Sequence, residues 1–349
     1  MRDNKRIGYV DAIRGLTMLL VVYCHVEYYC YDISFVHTIC GMLFVHFRMP
    51  MFFFISGFIA YKAVEWTSEH YGKMMKKKAI VQIIPTVFFF YLLNCACNGK
   101  PLDTFFVKCP GGYWFTLVLF YMFTIYYTTM YATKRCKGYV SDIALVVIAI
   151  GGAVAYGIGV RQGDPTLGIH PLLCFDQLSR YFEFFAAGIL CRKYFNSFER
   201  IISHDVTKTI LLLGFVGCSI IAWHHHLDKK SLMIMLNYEY LVRYMGLFLV
   251  FMLFHHYRLY FDSEHWLAET MRLVGRHTLD IYVLHYFLLP KMPMLRSWAF
   301  HNDMVILEMT VTILLSILII ALCLLLSRII RSSNFLGHYL LGAKIRKKL

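Results

Sequence analysis

The sequence predicts an all-α polytopic integral membrane protein, a bundle of about ten transmembrane helices with both termini in the cytoplasm. Three observations carry this expectation. Of the 349 residues, 59% are hydrophobic and only 16% are charged, whereas a soluble domain carries about a quarter charged residues. The apolar residues gather into runs of about twenty, the length needed to cross the hydrocarbon core as a helix. The basic residues then alternate between rich and poor from one inter-run segment to the next. An aromatic content of 17% excludes a disordered chain.

The runs follow in order. The first, Asp11–Cys30, is too long and too interrupted by polar residues to be a cleavable signal. The second, Ile39–Tyr61, contains Pro50 and Gly57, which predict a broken or re-entrant helix lining a cavity. Ala79–Cys97 follows the basic run Lys76, Lys77, Lys78; Tyr113–Tyr131 and Val140–Ile158 come next. Tyr181–Leu190 is short and is expected to reach back through Leu172–Arg180. Ile210–Trp223, Tyr240–His256, Thr278–Pro290 and Met304–Ser327 complete the set. No Gly/Ser/Pro-rich linker or internal repeat interrupts it, so residues 1–349 are expected to form one transmembrane domain. Residues 328–349 form its short basic cytoplasmic tail.

The lysines and arginines orient the bundle. With the N-terminus inside, 24 of them fall in cytoplasmic segments, eight in the opposite loops, and Arg14, Arg48 and Arg243 within runs. A missed helix would scramble that alternation downstream. A net charge of +14 would suggest nucleic acid in a soluble chain. Here the cations act as topology markers, so lipid is the expected partner and nucleic acid is not. No metal is expected. The eleven cysteines are scattered, Cys95-x-Cys97 is too tight for zinc, and the adjacent side chains of His224, His225 and His226 point apart.

Ionisable residues inside apolar runs are the candidates for function, because burying them is costly unless they are paired or face water. Arg14 and His25 are eleven residues apart, three helical turns plus 20°, and so share one face about 16 Å apart along the axis. Asp11, three residues before Arg14, is placed to pair with it. Asp11, Arg14, Met18, Val22 and His25 therefore form a stripe from the inner surface toward mid-membrane. A neutral imidazole at that depth accepts a proton, as a general base must. The competing reading makes His25 a packed core residue and Arg14 an interfacial anchor. His46 and Arg48 precede Pro50, where Arg48 is placed either to meet an oxygen-rich ligand or to cap freed carbonyls. Asp280 and His285 lie on different faces of the ninth run, since five residues turn the helix 140° past a full revolution. Glu183 and Arg243 are the other charges within the runs; they could pair with each other, and the same two residues also fit structural roles.

These residues, taken in order, resemble the acyltransferase-3 group of membrane O-acyltransferases. RIGYVDAIRGLTMLLVVYCH resembles the family's leading helix, whose pattern of Arg, ten residues, then His is satisfied by Arg14 and His25. MPMFFFISGFI, GYWFTLVLF around Trp114, RYFEFFAAGILCRKY with Glu183, and GRHTLDIYVLH ending at His285 resemble four later segments. One departure stands out: in KKKAIVQIIP, Val81 and Gln82 occupy the place where the family pattern puts an Arg. The three lysines would then have to substitute, without arginine's bidentate fork.

The resemblance implies transfer of an acyl group, most often acetyl, from acetyl-CoA to a hydroxyl of a sugar or cell-envelope glycan in the bacterial inner membrane. It implies His25 as general base, Arg14 as donor-orienting or charge-stabilising group, and Asp11 as its support. Arg48, His46, Trp114, His285 and Glu183 would contact substrate, and Lys76, Lys77 and Lys78 the donor phosphates. No bound cofactor is expected, because acetyl-CoA is a substrate, and no soluble esterase-like domain of the kind some members append is evident. The alternative class is a secondary transporter or flippase for a polar envelope precursor, which also shows buried charges and a Pro-interrupted span.

Overall fold

In a computed structural model, residues 7–34, 38–98, 111–225, 236–292, 294 and 305–343 are described, and the described residues are helical without strands. Seven helices are long and apolar enough to cross a membrane. The chain is a multi-pass membrane protein. These seven correspond to the first five predicted runs, the seventh and the tenth. The other three runs are helical but do not reach that standard. Tyr181–Leu190 lies inside a helix over Phe175–Lys193 that carries Asp176, Arg180, Glu183, Arg192 and Lys193. Tyr240–His256 begins in a π-helical turn, and Thr278–Pro290 forms only seven α-helical residues before a 3-10 turn.

The chain divides into two compact units, Met1–Phe52 with Asn196–Leu326, and Phe53–Phe195 with Ser327–Leu349. In the first unit, α1 (Gly8–His25) ends in a π-helical turn, Val26–Cys30. The helix α2 (Ile39–Ala60) contributes its first part here. It runs unbroken through Pro50, contrary to the expected break. A mid-helix proline removes one hydrogen bond and costs about 3 kcal/mol. Burial of Met51, Phe52, Phe53 and Phe54 immediately after it offsets that loss.

The second unit takes the remainder of α2 and, in its first stretch, five further helices. These are α3 (Ser68–Lys78), joined by a π-helical turn to α4 (Ile84–Asn98), then α5 (Trp114–Ala132), α6 (Gly138–Gln162) and α7 (Phe175–Lys193). Backbones approach closely where glycines permit. A Cβ on Gly57 would overlap the Phe185 carbonyl, and one on Gly188 the Phe54 carbonyl. Lys193 Nζ meets Asp142 at 2.6 Å, and the Tyr194 hydroxyl donates to the same carboxylate at 2.6 Å. On α6, Ile143, Val147, Ile150 and Val154 form an exposed apolar stripe at helical spacing, the face a lipid-embedded helix presents.

The first unit resumes with α8 (Phe195–Ser203), α9 (Asp205–His225) and, after the π-helical turn Asn237–Leu241, α10 (Val242–His256). Then come α11 (Arg258–Asp262), α12 (Trp266–Arg276), α13 (Thr278–Leu284) and α14 (Val305–Ile330). Helices α1 and α12 interlock: a Cβ on Gly15 would overlap the Met271 carbonyl, and one on Gly275 the Asp11 carbonyl. The polar stripe of α1 is thereby held against the chain leading into α13. Within the expected basic tail, α15 (Asn334–Leu341) packs on α4 in the second unit. The side chain of His225, all of His226 and the basic residues after position 343 lie outside the described residues.

Candidate active site

The first unit assembles the candidate chemistry around the end of α1. His25 is its last residue, half-buried, and its Nδ1 lies 2.8 Å from Nε2 of His285. The two rings are parallel within 2°, with centroids 5.0 Å apart. That separation matches the nitrogen–nitrogen distance plus the two ring radii, so the imidazoles lie end to end in one plane rather than face to face. His285 is fully buried in the 3-10 turn after α13, and its Nδ1 lies 2.9 Å from the Ile281 carbonyl oxygen.

This chain of contacts assigns the ring protons. A carbonyl only accepts, so His285 Nδ1 carries hydrogen and donates to Ile281. In a neutral His285 the other nitrogen, Nε2, is then an acceptor, and His25 Nδ1–H donates to it. The remaining nitrogen of His25, Nε2, is left as a bare lone pair. Among the described residues it has no hydrogen-bond partner. Tyr29 and Tyr286 stand beside the His25 ring, at 5.8 and 5.2 Å between centroids.

Arg14 lies on the same helix, three turns earlier. Its Nη2 donates to Thr278 Oγ1 at 2.6 Å, and its Nη1 stands 3.6 Å from Asp11. The expected Asp11 pairing is therefore an ion pair longer than a hydrogen bond, and the hydroxyl on α13 supplies the direct bond. Arg48, buried on α2, hydrogen-bonds the Cys24 sulfur and lies within electrostatic range of His25 and Glu27. His46 is buried on the same helix.

The Thr38 hydroxyl donates to Glu27 at 2.8 Å, and Glu308 on α14 lies within electrostatic range of Glu27. Asp280 and His285 do serve different neighbours, since Asp280 accepts from His277 Nδ1 at 2.8 Å. Arg243 pairs with Glu239 at 2.8 Å, one turn earlier on its own chain segment.

His25, His285, Arg14, Asp11, Arg48 and His46 thus belong to one unit, while the remaining candidates belong to the other. Trp114 stacks on Tyr181 at 5.9 Å and meets Phe53 at 6.2 Å, within an aromatic cluster. Glu183 sits half-buried on α7. Lys76 and Lys77 are exposed at the end of α3, and Lys78 places its ammonium 3.2 Å from the centre of the Phe123 ring. Gln82 is buried in the π-helical turn Ala79–Ile83.

Sequence reasoning did not single out Thr278, Glu27, Glu308 or Glu239. Three of them carried a usable signal: Glu27 and Glu308 are carboxylates inside apolar runs, and Thr278 opens the ninth. Among the described residues, no group of three or more His, Cys, Asp or Glu side chains is arranged to hold a metal.

Comparison with known families gives a match to the acyltransferase domain of the acyltransferase-3 family over residues 7–328. No curated protein and no solved structure matches the chain. The match spans nearly the whole chain, and the chain belongs to the acyltransferase-3 family.

Proposed function

We propose that this protein transfers an acyl group, acetyl in the simplest case, from acetyl-CoA to a hydroxyl of a sugar or cell-envelope glycan at the bacterial inner membrane. Membership of an acyltransferase family supports the reaction class. The single observation that carries the mechanism is the in-line chain from the Ile281 carbonyl through His285 to His25, which leaves His25 Nε2 as an available lone pair.

In the proposed reaction the acceptor hydroxyl gives its proton to His25 Nε2 as its oxygen attacks the thioester carbonyl. The new C–O bond forms and a tetrahedral oxyanion develops. The intermediate collapses by breaking the C–S bond, and the leaving thiolate takes the proton back from the His25 imidazolium. No net proton is gained or lost. His285 accepts from the opposite edge of His25 throughout, so it fixes the tautomer and favours the charge that His25 acquires transiently. Arg48, within electrostatic range of His25, stabilises the oxyanion. Arg14, steadied by Thr278 and Asp11, orients the donor from the inner end of α1.

Purified protein in proteoliposomes should consume acetyl-CoA, with free thiol released, only when an envelope polysaccharide fraction is supplied as acceptor. His25→Ala should lower the rate about 10²–10⁴-fold, the range that general-base catalysis supplies, with insertion and abundance unchanged. Near-normal turnover by that variant rejects the assignment. Movement of labelled glycan without consumption of thioester would instead identify a transporter.

A further inference from the structure

A cavity of about 690 Å³ in the second unit has no assigned role, and its lining is chemically specific. It opens between the segment before α3 and the turn joining α5 to α6. The charge alternation of the sequence places both segments on the cytoplasmic side. Its volume lies within the range of small-molecule sites.

Lys134 and Arg135 line it, and among the described residues neither meets a carboxylate. Thr67 and Ser68 bring the N-terminus of α3 to one wall, and Gly138 brings that of α6 to another. The position a Cβ would take on Gly138 faces open space, so the backbone there is approachable. Trp66 lines the same cavity, its ring held against Tyr126 and Tyr127 at 6.0 and 5.3 Å. Glu65 is the one carboxylate of the lining.

Two cations and two helix starts favour a multiply phosphorylated anion, and an anchored indole favours a flat aromatic ring beside it. The two features in one cavity describe a phosphorylated nucleoside. We propose that this cavity binds the adenosine 3′,5′-bisphosphate end of the CoA thioester donor. Lys134 and Arg135 take the phosphates, Trp66 stacks on the adenine, and Glu65 accepts from the adenine amino group. The assignment rests on the donor proposed above.

Cys136 is a free, exposed thiol on the same lining and reports occupancy directly. In the full-length solubilised protein, maleimide labelling of Cys136 is followed by mass spectrometry. Saturating adenosine 3′,5′-bisphosphate should slow labelling about tenfold, and adenosine should not. Substituting Lys134→Ser and Arg135→Ser, both on exposed side chains, should abolish protection and raise KM for acetyl-CoA about tenfold or more. Thioester turnover without nucleotide protection of Cys136 overturns this site and leaves the reaction standing. Nucleotide protection without turnover supports the site and removes the reaction. Protection that follows anionic phospholipid in nanodiscs and ignores nucleotide overturns the proposal in favour of a headgroup site.

Discussion

Replacing His285 tests the proton arrangement more sharply than replacing His25, because His285 acts only through its neighbour. In His285→Ala the Nδ1–H of His25 loses its acceptor 2.8 Å away, and the Ile281 carbonyl loses its side-chain donor at 2.9 Å. One buried donor left unsatisfied costs about 1–3 kcal/mol, or a factor of about 5–150 in rate at 1.36 kcal/mol per decade. The ceiling is the contribution of the base itself, about 10²–10⁴-fold. We therefore expect kcat to fall between about 10- and 100-fold, with KM for acetyl-CoA little changed. Two further variants separate positioning from packing. Glutamine reaches far enough to place an acceptor oxygen against His25 Nδ1, so His285→Gln should recover to within about tenfold of the parent. Asparagine is one methylene shorter; it satisfies Ile281 but not His25, so His285→Asn should behave like the alanine variant. The assay is acceptor-dependent thiol release in proteoliposomes, measured as kcat and KM from pH 6 to 9. Equal activity of the Gln and Asn variants, or near-parental kcat in the alanine variant, would refute the proton assignment.

Other outcomes follow from the same geometry. Gly275→Ala places a methyl group into the Asp11 carbonyl and pushes α12 away from the helix bearing Arg14 and His25. Activity should fall by more than tenfold, with a lower Tm by intrinsic fluorescence. Arg14→Lys keeps the charge but loses the fork that holds Thr278 at 2.6 Å and Asp11 at 3.6 Å together. KM for acetyl-CoA should rise about tenfold, and steady-state kinetics will show whether kcat is spared. Asp142→Asn leaves the largely buried Lys193 ammonium without its 2.6 Å carboxylate partner. A loss of about 1–3 kcal/mol is expected, readable as a lower thermal midpoint in detergent.

The sequence makes legible what lies within one helix. The 3.6-residue period alone puts Asp11, Arg14 and His25 on one face of α1, and composition alone predicts an all-helical membrane protein. Contacts between distant segments are another matter. His25 and His285 are 260 residues apart, and no periodicity relates them. Their encounter follows from the α1–α12 interlock at Gly15 and Gly275, which becomes visible only when the helices are packed. Boundary placement hid the Glu239–Arg243 pair, because a run begun at Tyr240 excluded the carboxylate one residue earlier. Pro50 misled for a related reason. Local chemistry predicts a break, whereas burial of the residues that follow it favours continuity. Three of the ten runs were apolar enough to be counted as spans, yet among the described residues their helices fall short of the length and apolarity of the other seven.

The shortness of α13 has a consequence for biogenesis. Seven residues rise about 10 Å, roughly a third of the hydrocarbon thickness. Such a stub cannot satisfy its own backbone in lipid and persists only when walled by protein. It must therefore dock against α1 after that helix is already in the bilayer, late in synthesis. A ribosome-bound chain truncated before Thr278 would carry the imidazole of His25 with no partner to set its tautomer. In the reaction proposed for this site, competence therefore waits until that late segment has seated.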